Sequence, residues 1–480
     1  MDTNFLLNKA IKLHLNGKIE KAETIYKKVI KLDQKNITAI NNLASVLNVK
    51  KNYEKALIYL NEALKLKPDF IDALNNKAVS LNGLNDHENA LIYCEKALKI
   101  NPNFVNALIN KANCLKSMNL LDDAILYYDK TIELKSNAIE AIFNKSICLY
   151  SQKRYEESLS GYKQAIKLKP DFVEAYYNLA LLQMLLGNYN EGLKNYEWRK
   201  KRIKAKNYPK FDHDIEWLGG QSLKNKTIYI SKEQGIGDYI QYCRYLNLIK
   251  DLGATILLDA PKILRPMIDT MNIDCIYFDD IKKIKFDYHC SVVSLPLAFN
   301  TTLETIPGKE AYFFTPKNIK KDWEKKLNRF KRLNIGLKWT GNSSYTDDVH
   351  RSTTLKELKP LFDLPYDFHS LEIEYSKEDE DLLKNITNLK CHKKDLVGFD
   401  NTAGLIENLD LVISVNTSMA HLTGALGKKL WVLLSSVPEY RWLLDRQDSP
   451  WYPKTKIYRQ SKQGDWKTMV DKIKKDLKFF

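Results

Sequence analysis

The 480-residue sequence lacks any apolar run close to the roughly 18 residues that a transmembrane helix needs. Its first 30 residues mix apolar and charged positions at helical spacing, without the apolar core of a secretory signal peptide. The seven cysteines are scattered, odd in number and never spaced as CxxC, which argues against a disulfide framework or a cysteine zinc site. We therefore expect a cytoplasmic, multidomain protein without a transmembrane segment.

A clustered basic surface is also missing, although the formal net charge is +16. Residues 1–200 hold 29 Lys and Arg against 22 Asp and Glu, so the positive excess is spread along the chain. The one dense basic run, at residues 201–210, lies between predicted domains. A nucleic-acid-binding face is clustered and interleaved with aromatic residues. The sequence thus predicts no nucleic-acid partner and leaves anionic substrates, such as nucleotide sugars, open.

Internal repetition is the strongest positive signal. Small residues recur every 34 residues in two registers, Ala10, Ala44, Ala78, Ala112, Ser146 and Ala180, and Ala22, Ala56, Ala90, Ala124, Ser158 and Gly192. Pro68, Pro102 and Pro170 add a third register. Small residues let two helices approach closely, and proline stops the second helix of each pair. Residues 1–204 are therefore predicted to form six helical hairpins, stacked as an all-α solenoid.

An asparagine column follows the same period. Its members on the first helices are Asn8, Asn42, Asn76, Asn110, Asn144 and Asn178. An asparagine amide carries two donors and an acceptor, so the column can bind the main chain of an extended polypeptide. The alternative is that these residues belong only to the repeat consensus. Both interpretations stay open, and we take Asn42, Asn76, Asn110, Asn144 and Asn178 as the candidate acceptor groove.

The pattern changes after a linker at residues 205–226. Short apolar runs now alternate with helical segments, as in parallel α/β architecture. Strands are predicted at 227–231, 255–259, 333–339, 367–371, 409–414 and 430–434. We expect two Rossmann-like domains, one at 227–320 and one at 321–480 that ends in a helix.

The glycine loop after the first strand is not a dinucleotide fingerprint. Gly235 and Gly237 supply the tight turn, but Ile240 stands where the third glycine is needed. A nicotinamide or flavin cofactor is therefore not expected, and neither is any other cofactor.

Several motifs now carry a resemblance. They are Glu233-Gln-Gly-Ile-Gly-Asp238, Gly336-Leu-Lys-Trp-Thr-Gly-Asn342, Arg351-Ser352, Ser414-Val-Asn-Thr-Ser-Met-Ala-His421, Tyr440-Arg-Trp442 and Ser449-Pro-Trp-Tyr-Pro453. Together with the repeats, they resemble bacterial tetratricopeptide-repeat glycosyltransferases with a heptosyltransferase-like half of the two-Rossmann GT-B fold. The domain layout is similar to that of protein O-GlcNAc transferases. The resemblance implies sugar transfer from a nucleotide-diphosphate sugar.

The predicted donor site lies where a helix begins after a strand. Asn416, Thr417 and Ser418 open that helix, whose backbone N–H groups suit a diphosphate, and His421 lies one turn further on the same face. Lys338 adds positive charge at the end of a strand. By resemblance, the site also includes Thr340, Asn342, Arg351 and the loop residues Gln234, Gly235 and Gly237, with Lys338 and His421 in catalytic roles. The family usually has Asp where this chain has Asn416.

Asp238 is the candidate general base for an inverting transfer. The alternative is that its carboxylate only caps the helix that follows the loop. The histidines show no metal-ligand spacing, so we expect a metal-independent mechanism.

The predicted function is glycosyl transfer to a polypeptide docked by the repeats. Two alternatives remain: transfer to a lipid-linked or cell-surface saccharide, and a scaffold whose transferase half is degenerate. The nucleotide, the sugar and the acceptor stay unassigned.

Overall fold

The computed structural model describes residues 2–202, 213–278, 285–308, 310–327, 332–341, 351–437 and 439–480. The chain forms two compact units, Met1–Leu179 and Ala180–Phe480.

Six helical hairpins span both the first unit and the start of the second. Their helices are α1 Thr3–Leu15, α2 Ile19–Leu32, α3 Ile37–Val49, α4 Tyr53–Leu66, α5 Ile71–Gly83, α6 His87–Ile100, α7 Val105–Ser117, α8 Leu121–Leu134, α9 Ile139–Ser151, α10 Tyr155–Leu168, α11 Val173–Leu185 and α12 Tyr189–Tyr196. The helical region confirms the predicted hairpins and their 34-residue period.

The small residues lie where the helices of a hairpin cross. Ala44 and Ala56 in the second hairpin, for example, are fully buried. In the fifth hairpin serines replace both alanines, and Ser158 Oγ donates to the carbonyl oxygen of Ser146 at 2.8 Å. The substituted hydroxyl is therefore satisfied, which keeps the close crossing tolerable for a polar side chain.

One residue in a left-handed conformation closes the turn of every hairpin. These residues are Gly17, Lys51, Asn85, Asn119, Lys153 and Gly187, with φ between 58° and 84°. The left-handed region suits glycine and asparagine and is strained for lysine. The repeat geometry therefore imposes this conformation even where the residue does not favour it.

The second unit contains two parallel sheets. The first sheet has the strand order β3-β2-β1-β4, and the second has the order β10-β9-β8-β5-β6-β7. The strands are β1 Thr227–Ser231, β2 Thr255–Leu258, β3 Cys275–Tyr277, β4 Tyr288–Ser291, β5 Asn334–Lys338, β6 Asp367–Ser370, β7 Leu389–Cys391, β8 Leu411–Val415, β9 Leu430–Leu434 and β10 Thr455–Arg459. All six predicted strands are present within two residues, whereas β3, β4, β7 and β10 were not predicted.

Helices flank these strands. They are α13 Arg199–Arg202, α14 Ile236–Cys243, α15 Leu246–Asp251, α16 Arg265–Ile268, α17 Leu295–Ala298, α18 Lys317–Leu327, α19 Leu355–Leu358, α20 Lys377–Leu383, α21 Phe399–Glu407, α22 Ser418–Ala425 and α23 Trp466–Leu477. The core of the second sheet includes Ile335, Ile413 and Leu433, and it extends to Ile473 and Leu477 of α23.

Within the ranges that the structure describes, no helix combines the length and the apolar character required to cross a bilayer.

Candidate functional site

The loop after β1 places Asp238 in the first turn of α14. The chain turns through Gln234, which has a φ of +63°. Asp238 Oδ2 accepts a hydrogen bond from the backbone N–H of Gly235 at 3.2 Å. Asp238 therefore caps its own helix, which is one of the two roles that the sequence left open. Its use as a general base stays a prediction.

Two further contacts fix the loop itself. Gln234 Nε2 donates to the Tyr196 hydroxyl at 2.7 Å. The preceding residue, Glu233, is buried and binds both Arg199 Nε and Arg199 Nη2 at 2.8 Å. A bidentate arginine–carboxylate pair has a fixed geometry, so the loop is held at its base. Gln234 and Glu233 thus have structural partners within the second unit.

Arg441 stands in the motif Tyr440-Arg-Trp442, but the sequence predicted no site role for it. Its Nη2 pairs with Asp238 Oδ1, and its Nη1 pairs with Glu439 Oε1. Burial lowers the pKa of the Arg441 guanidinium, but the carboxylates of Asp238 and Glu439 outweigh this and raise it well above its ordinary value. Burial raises the pKa of Glu439. A charged residue between aromatic neighbours, Tyr440 and Trp442, was the available sequence signal.

The second sheet supplies the predicted donor residues. Lys338 lies opposite Ser414 in the register of β5 and β8, so the ends of both strands meet at one sheet edge. Thr417 is the N-cap of α22, with its hydroxyl accepting from the N–H of Met419 at 3.3 Å. The sequence predicted that this helix opens within Asn416–Ser418, and in the structure it begins at Ser418. Asn416 Oδ1 accepts from Trp442 Nε1 at 3.0 Å.

His421 is buried on α22. Its Nδ1 lies 2.9 Å from the Tyr452 hydroxyl, and its ring stacks on Trp442 at a centroid distance of 5.7 Å. The pKa of His421 is lowered to about 3. Burial is the main cause, and the positive charges of Arg441 and Arg244 contribute to the same shift. The imidazole is thus neutral at physiological pH. In the tautomer whose Nδ1 accepts a hydrogen bond from Tyr452, Nε2 carries the proton. This N–H group can donate a hydrogen bond to an anion.

The first turns of α14 and α22 meet at Gly237. A Cβ on this glycine would lie 2.9 Å from His421 Cδ2 and 3.6 Å from the Cα of Ser418. Both helix N-termini carry partial positive charge, and each has backbone N–H groups without an intrahelical acceptor. Such a junction favours an anion, and it brings Asp238, Ser418 and His421 together.

The positive charge of Lys338 is paired with a carboxylate. Its Nζ pairs with Glu372, whose side chain is only 1% exposed. Glu372 also accepts from the N–H groups of Trp339 and Thr340 at 2.8 Å and from the Thr340 hydroxyl at 2.7 Å. The sequence analysis missed Glu372. Its position two residues after β6, at the same sheet edge as Lys338, was the signal for it.

Two predicted donor-side residues, Asn342 and Arg351, come after β5. Asn342 lies outside the described residues. Arg351 follows that range, and its neighbours return to the end of β5: Ser352 Oγ accepts from the N–H of Gly341 at 2.8 Å, and Thr353 N donates to the Trp339 carbonyl at 2.9 Å. The fold therefore places Arg351 next to the carboxyl end of β5.

In the asparagine column Asn8 is exposed, whereas the other five asparagines are half-buried. Nδ2 atoms of the column donate to asparagine Oδ1 atoms of the preceding repeat: Asn76 to Asn41 at 2.9 Å, Asn110 to Asn75 at 2.7 Å and Asn144 to Asn113 at 3.2 Å. Asn42 accepts from the adjacent Asn41 at 3.3 Å, and Asn178 is half-buried as well. The column therefore links repeats, and its role as an acceptor groove stays a prediction.

Comparison with known proteins identifies the repeats. Tetratricopeptide-repeat family models match residues 5–36, 37–70, 71–104 and 93–125, and a TPR-repeat model matches residues 149–187. The N-terminal part is a tetratricopeptide-repeat array.

The chain is also similar to several individual proteins. Protein FlbA of Caulobacter vibrioides is 21% identical over 291 residues, which is 55% of this chain and 48% of FlbA, so the chain spans about half the length of this relative. Among solved structures, the TPR protein TTC0263 of Thermus thermophilus is 16% identical with a TM-score of 0.35, covering 37% of this chain and 97% of that one. A tetratricopeptide repeat protein from Parabacteroides merdae is 21% identical with a TM-score of 0.34, covering 42% and 79%.

Across the described ranges, no group of three or more His, Cys, Asp or Glu side chains is arranged to hold a metal ion. At the junction, Arg441 carries a fixed positive charge and the two helix N-termini add partial positive charge.

Proposed function

We propose that this chain is a GT-B-type glycosyltransferase that moves a sugar from a nucleoside-diphosphate sugar to an acceptor. The observation that carries the proposal is the junction at Gly237, where two helix N-termini from two parallel sheets meet beside a carboxylate. Ligands of parallel α/β folds bind at the carboxyl ends of strands. A diphosphate suits the helix N-termini, and a carboxylate beside it suits an acceptor hydroxyl.

In this proposal the donor diphosphate lies at the first turn of α22. Backbone N–H groups after Thr417 and a proton on His421 Nε2 neutralise the charge that develops on the leaving group. Lys338 acts at the same sheet edge, with Glu372 fixing its ammonium group. Thr340, Asn342 and Arg351 complete the donor side.

Asp238 acts as the base that accepts the proton of the acceptor hydroxyl. A carboxylate has about four lone-pair positions, and Gly235 and Arg441 use one on each oxygen. Lone pairs therefore remain for a hydroxyl. We propose an inverting transfer that needs no metal ion, because fixed cations and helix N-termini supply the positive charge.

The acceptor in this proposal is a polypeptide docked by the tetratricopeptide repeats, whose family supports a role in protein interaction. One N–H of each of Asn76, Asn110 and Asn144 is donated to a neighbouring repeat, and each amide has two. A second candidate, a scaffold with a degenerate transferase half, is favoured by Asn416, which replaces the family's Asp and is bound to Trp442.

A screen against nucleotide sugars tests the proposal. Purified full-length chain is incubated with UDP-, GDP-, CDP- and ADP-sugars, and thermal shift and release of the nucleoside diphosphate are measured with and without EDTA. We expect one nucleotide class to stabilise the chain and to be released from its sugar, equally in EDTA. Asp238→Asn should keep the thermal shift and lose about 10²–10⁴-fold in release.

Two outcomes would contradict the proposal. No stabilisation by any nucleotide would favour the scaffold. Release that stops in EDTA and returns with Mg²⁺ would retain the transferase but reject its metal independence.

A further inference from the structure

The segment Glu439–Trp442 borders the junction, although its residues have no role in the proposal so far. Arg441 pairs with Asp238, Trp442 donates to Asn416, and Trp442 stacks on His421. One short segment thus contacts a proposed catalytic or donor-binding residue on each side of the junction.

We propose that Arg441 is the positioning residue that holds the Asp238 carboxylate towards the donor site during transfer. This inference rests on the proposed function. Asp238 Oδ2 is held by Gly235 of its own loop, and Oδ1 is held by Arg441 from the segment between β9 and β10. Two partners on different oxygens fix both side-chain torsions, and the second partner fixes the carboxylate relative to α22.

Arg441 is itself held in place. Its guanidinium bridges a second carboxylate, that of Glu439, and lies 4.3 Å from the centroid of the Tyr440 ring. Behind it, Arg459 Nη2 donates to the carbonyl oxygen of Trp442 at 2.6 Å. The planar guanidinium can bind two carboxylates in fixed directions, which a lysine ammonium cannot do with the same geometry. The pair therefore specifies the orientation of Asp238.

Buried pairs of this kind contribute little net stability compared with apolar side chains, while loss of one partner leaves a buried charge. The structural cost of removing Arg441 must therefore be separated from its effect on turnover. Its Nε is buried and has no hydrogen-bond partner among the described residues, so direct binding of the diphosphate is the competing role.

The test compares Arg441→Gln and Arg441→Lys with wild type, in the full chain and in the Asp238→Asn background. The matched control is Arg446→Gln, because Arg446 forms an exposed pair with Asp448 in the same part of the chain. Release of nucleoside diphosphate gives turnover, and titration of UDP, GDP, CDP and ADP gives the dissociation constant.

We expect Arg441→Gln to lose about 10-fold or more in turnover with its nucleotide affinity within about twofold of wild type. The turnover of Arg441→Lys should lie between those of wild type and Arg441→Gln. This variant keeps the positive charge, so it serves as the second variant if Arg441→Gln unfolds. In the Asp238→Asn background, Arg441→Gln should change turnover by less than about twofold, because the two residues act as a unit.

Three results would overturn the inference while the proposed function stands: wild-type turnover in Arg441→Gln, an equal loss in both backgrounds, or nucleotide affinity weakened about 10-fold with turnover per bound donor unchanged. The last result would assign Arg441 to the diphosphate. A wild-type chain that releases no nucleotide from any sugar would overturn the proposed function and, with it, this inference.

Discussion

At the scale of single residues, His421 combines burial with a chemical role. Its ring contacts Tyr452, Trp442 and the backbone at Gly237, and its low pKa keeps it neutral. A neutral imidazole avoids a buried positive charge beside Arg441 and Arg244, while it can still donate one hydrogen bond to an anion. Packing and donor binding therefore depend on the same side chain.

We expect a nucleoside diphosphate to raise the melting temperature of the wild-type chain more than that of His421→Ala. The missing hydrogen bond to a phosphate oxygen corresponds to about 1–3 kcal/mol of binding free energy. Because the variant also leaves a cavity, its melting temperature without ligand will be lower, so the ligand-induced shift is the quantity to compare. Tyr452→Phe removes the hydroxyl that His421 Nδ1 contacts but keeps the imidazole, so it separates loss of that contact from loss of the ring. Equal ligand-induced shifts in wild type and His421→Ala would remove His421 from the donor site.

A second buried histidine predicts how stability depends on pH. His369 Nε2 lies 3.0 Å from Asn334 Oδ1, and its Nδ1 lies 3.0 Å from His392 Nε2. The pKa of His369 is lowered to about 3. Burial is the main cause, and the neighbouring His392 and Lys390 contribute to the same shift. Only the unfolded chain takes up this proton between about pH 6.5 and pH 3.

The stability that His369 contributes is therefore present above about pH 6.5 and is lost as the pH falls towards 3. The free energy of unfolding should fall by at most about 1.4 kcal/mol per pH unit for this residue. Chemical denaturation of wild type and His369→Gln at pH 7 and pH 5 measures it. The variant should be less stable at pH 7 and show a shallower decrease. Parallel curves would mean that His369 titrates alike in both states.

At the scale of elements, the hairpin turns show where geometry overrides residue preference. Lys51 and Lys153 adopt φ values of +58° and +62°, at positions where other repeats have glycine or asparagine. The position is required because the turn must reverse the chain within a few residues. A lysine in the left-handed region loses about 1–2 kcal/mol relative to its ordinary conformation.

Lys153→Gly should therefore stabilise the repeat array by about 0.5–1 kcal/mol, after the larger backbone entropy of glycine in the unfolded state is subtracted. Urea denaturation followed by circular dichroism provides the measurement. Gly17→Ala is the matched control, since a Cβ there meets no atom within 4 Å and only the backbone conformation opposes it. That variant should be destabilised. A Lys153→Gly variant less stable than wild type would contradict the explanation.

The strands divide into two groups by predictability. Strands β1, β5, β8 and β9 have apolar runs that are buried on both faces, so the sequence predicted them. Strand β4, Tyr288–Ser291, contains His289, Cys290 and Ser291, and its burial comes from pairing with β1. Strand β4 has no continuous apolar run, so only the sheet identified it.

At the scale of the whole molecule, variants of the asparagine column show whether the repeats bind the acceptor independently of the donor reaction. Replacing Asn76, Asn110 and Asn144 by Ala should reduce modification of a polypeptide acceptor severalfold or more. Each lost main-chain hydrogen bond corresponds to about 0.5–1.5 kcal/mol. Release of nucleotide from the donor alone should stay at the wild-type rate, because that reaction uses only the second unit.

The inter-repeat hydrogen bonds require a control for stability. Asn41, Asn75 and Asn113 accept those bonds, so replacing these three by Ala removes the same links and keeps the column. If modification of the acceptor falls equally in both triple variants, the asparagine column links the repeats and does not bind the acceptor. A lipid-linked or surface saccharide would then become the first acceptor to test.

The sequence by itself determined the repeat array, the parallel α/β character of the second half and a helix start within Asn416–Ser418. These features depend on local periodicity, small residues at fixed spacing and capping chemistry, all of which are written along the chain. Only the tertiary structure decided that Arg441 contacts Asp238, that Glu372 neutralises Lys338 and that Gly237 lies against His421. The partners in each of these contacts are distant in sequence, by 203 residues for Asp238 and Arg441. Lys338 and Glu372 meet because β5 pairs with β6, and the other two contacts depend on how elements of the two sheets come together. No local pattern encodes either arrangement.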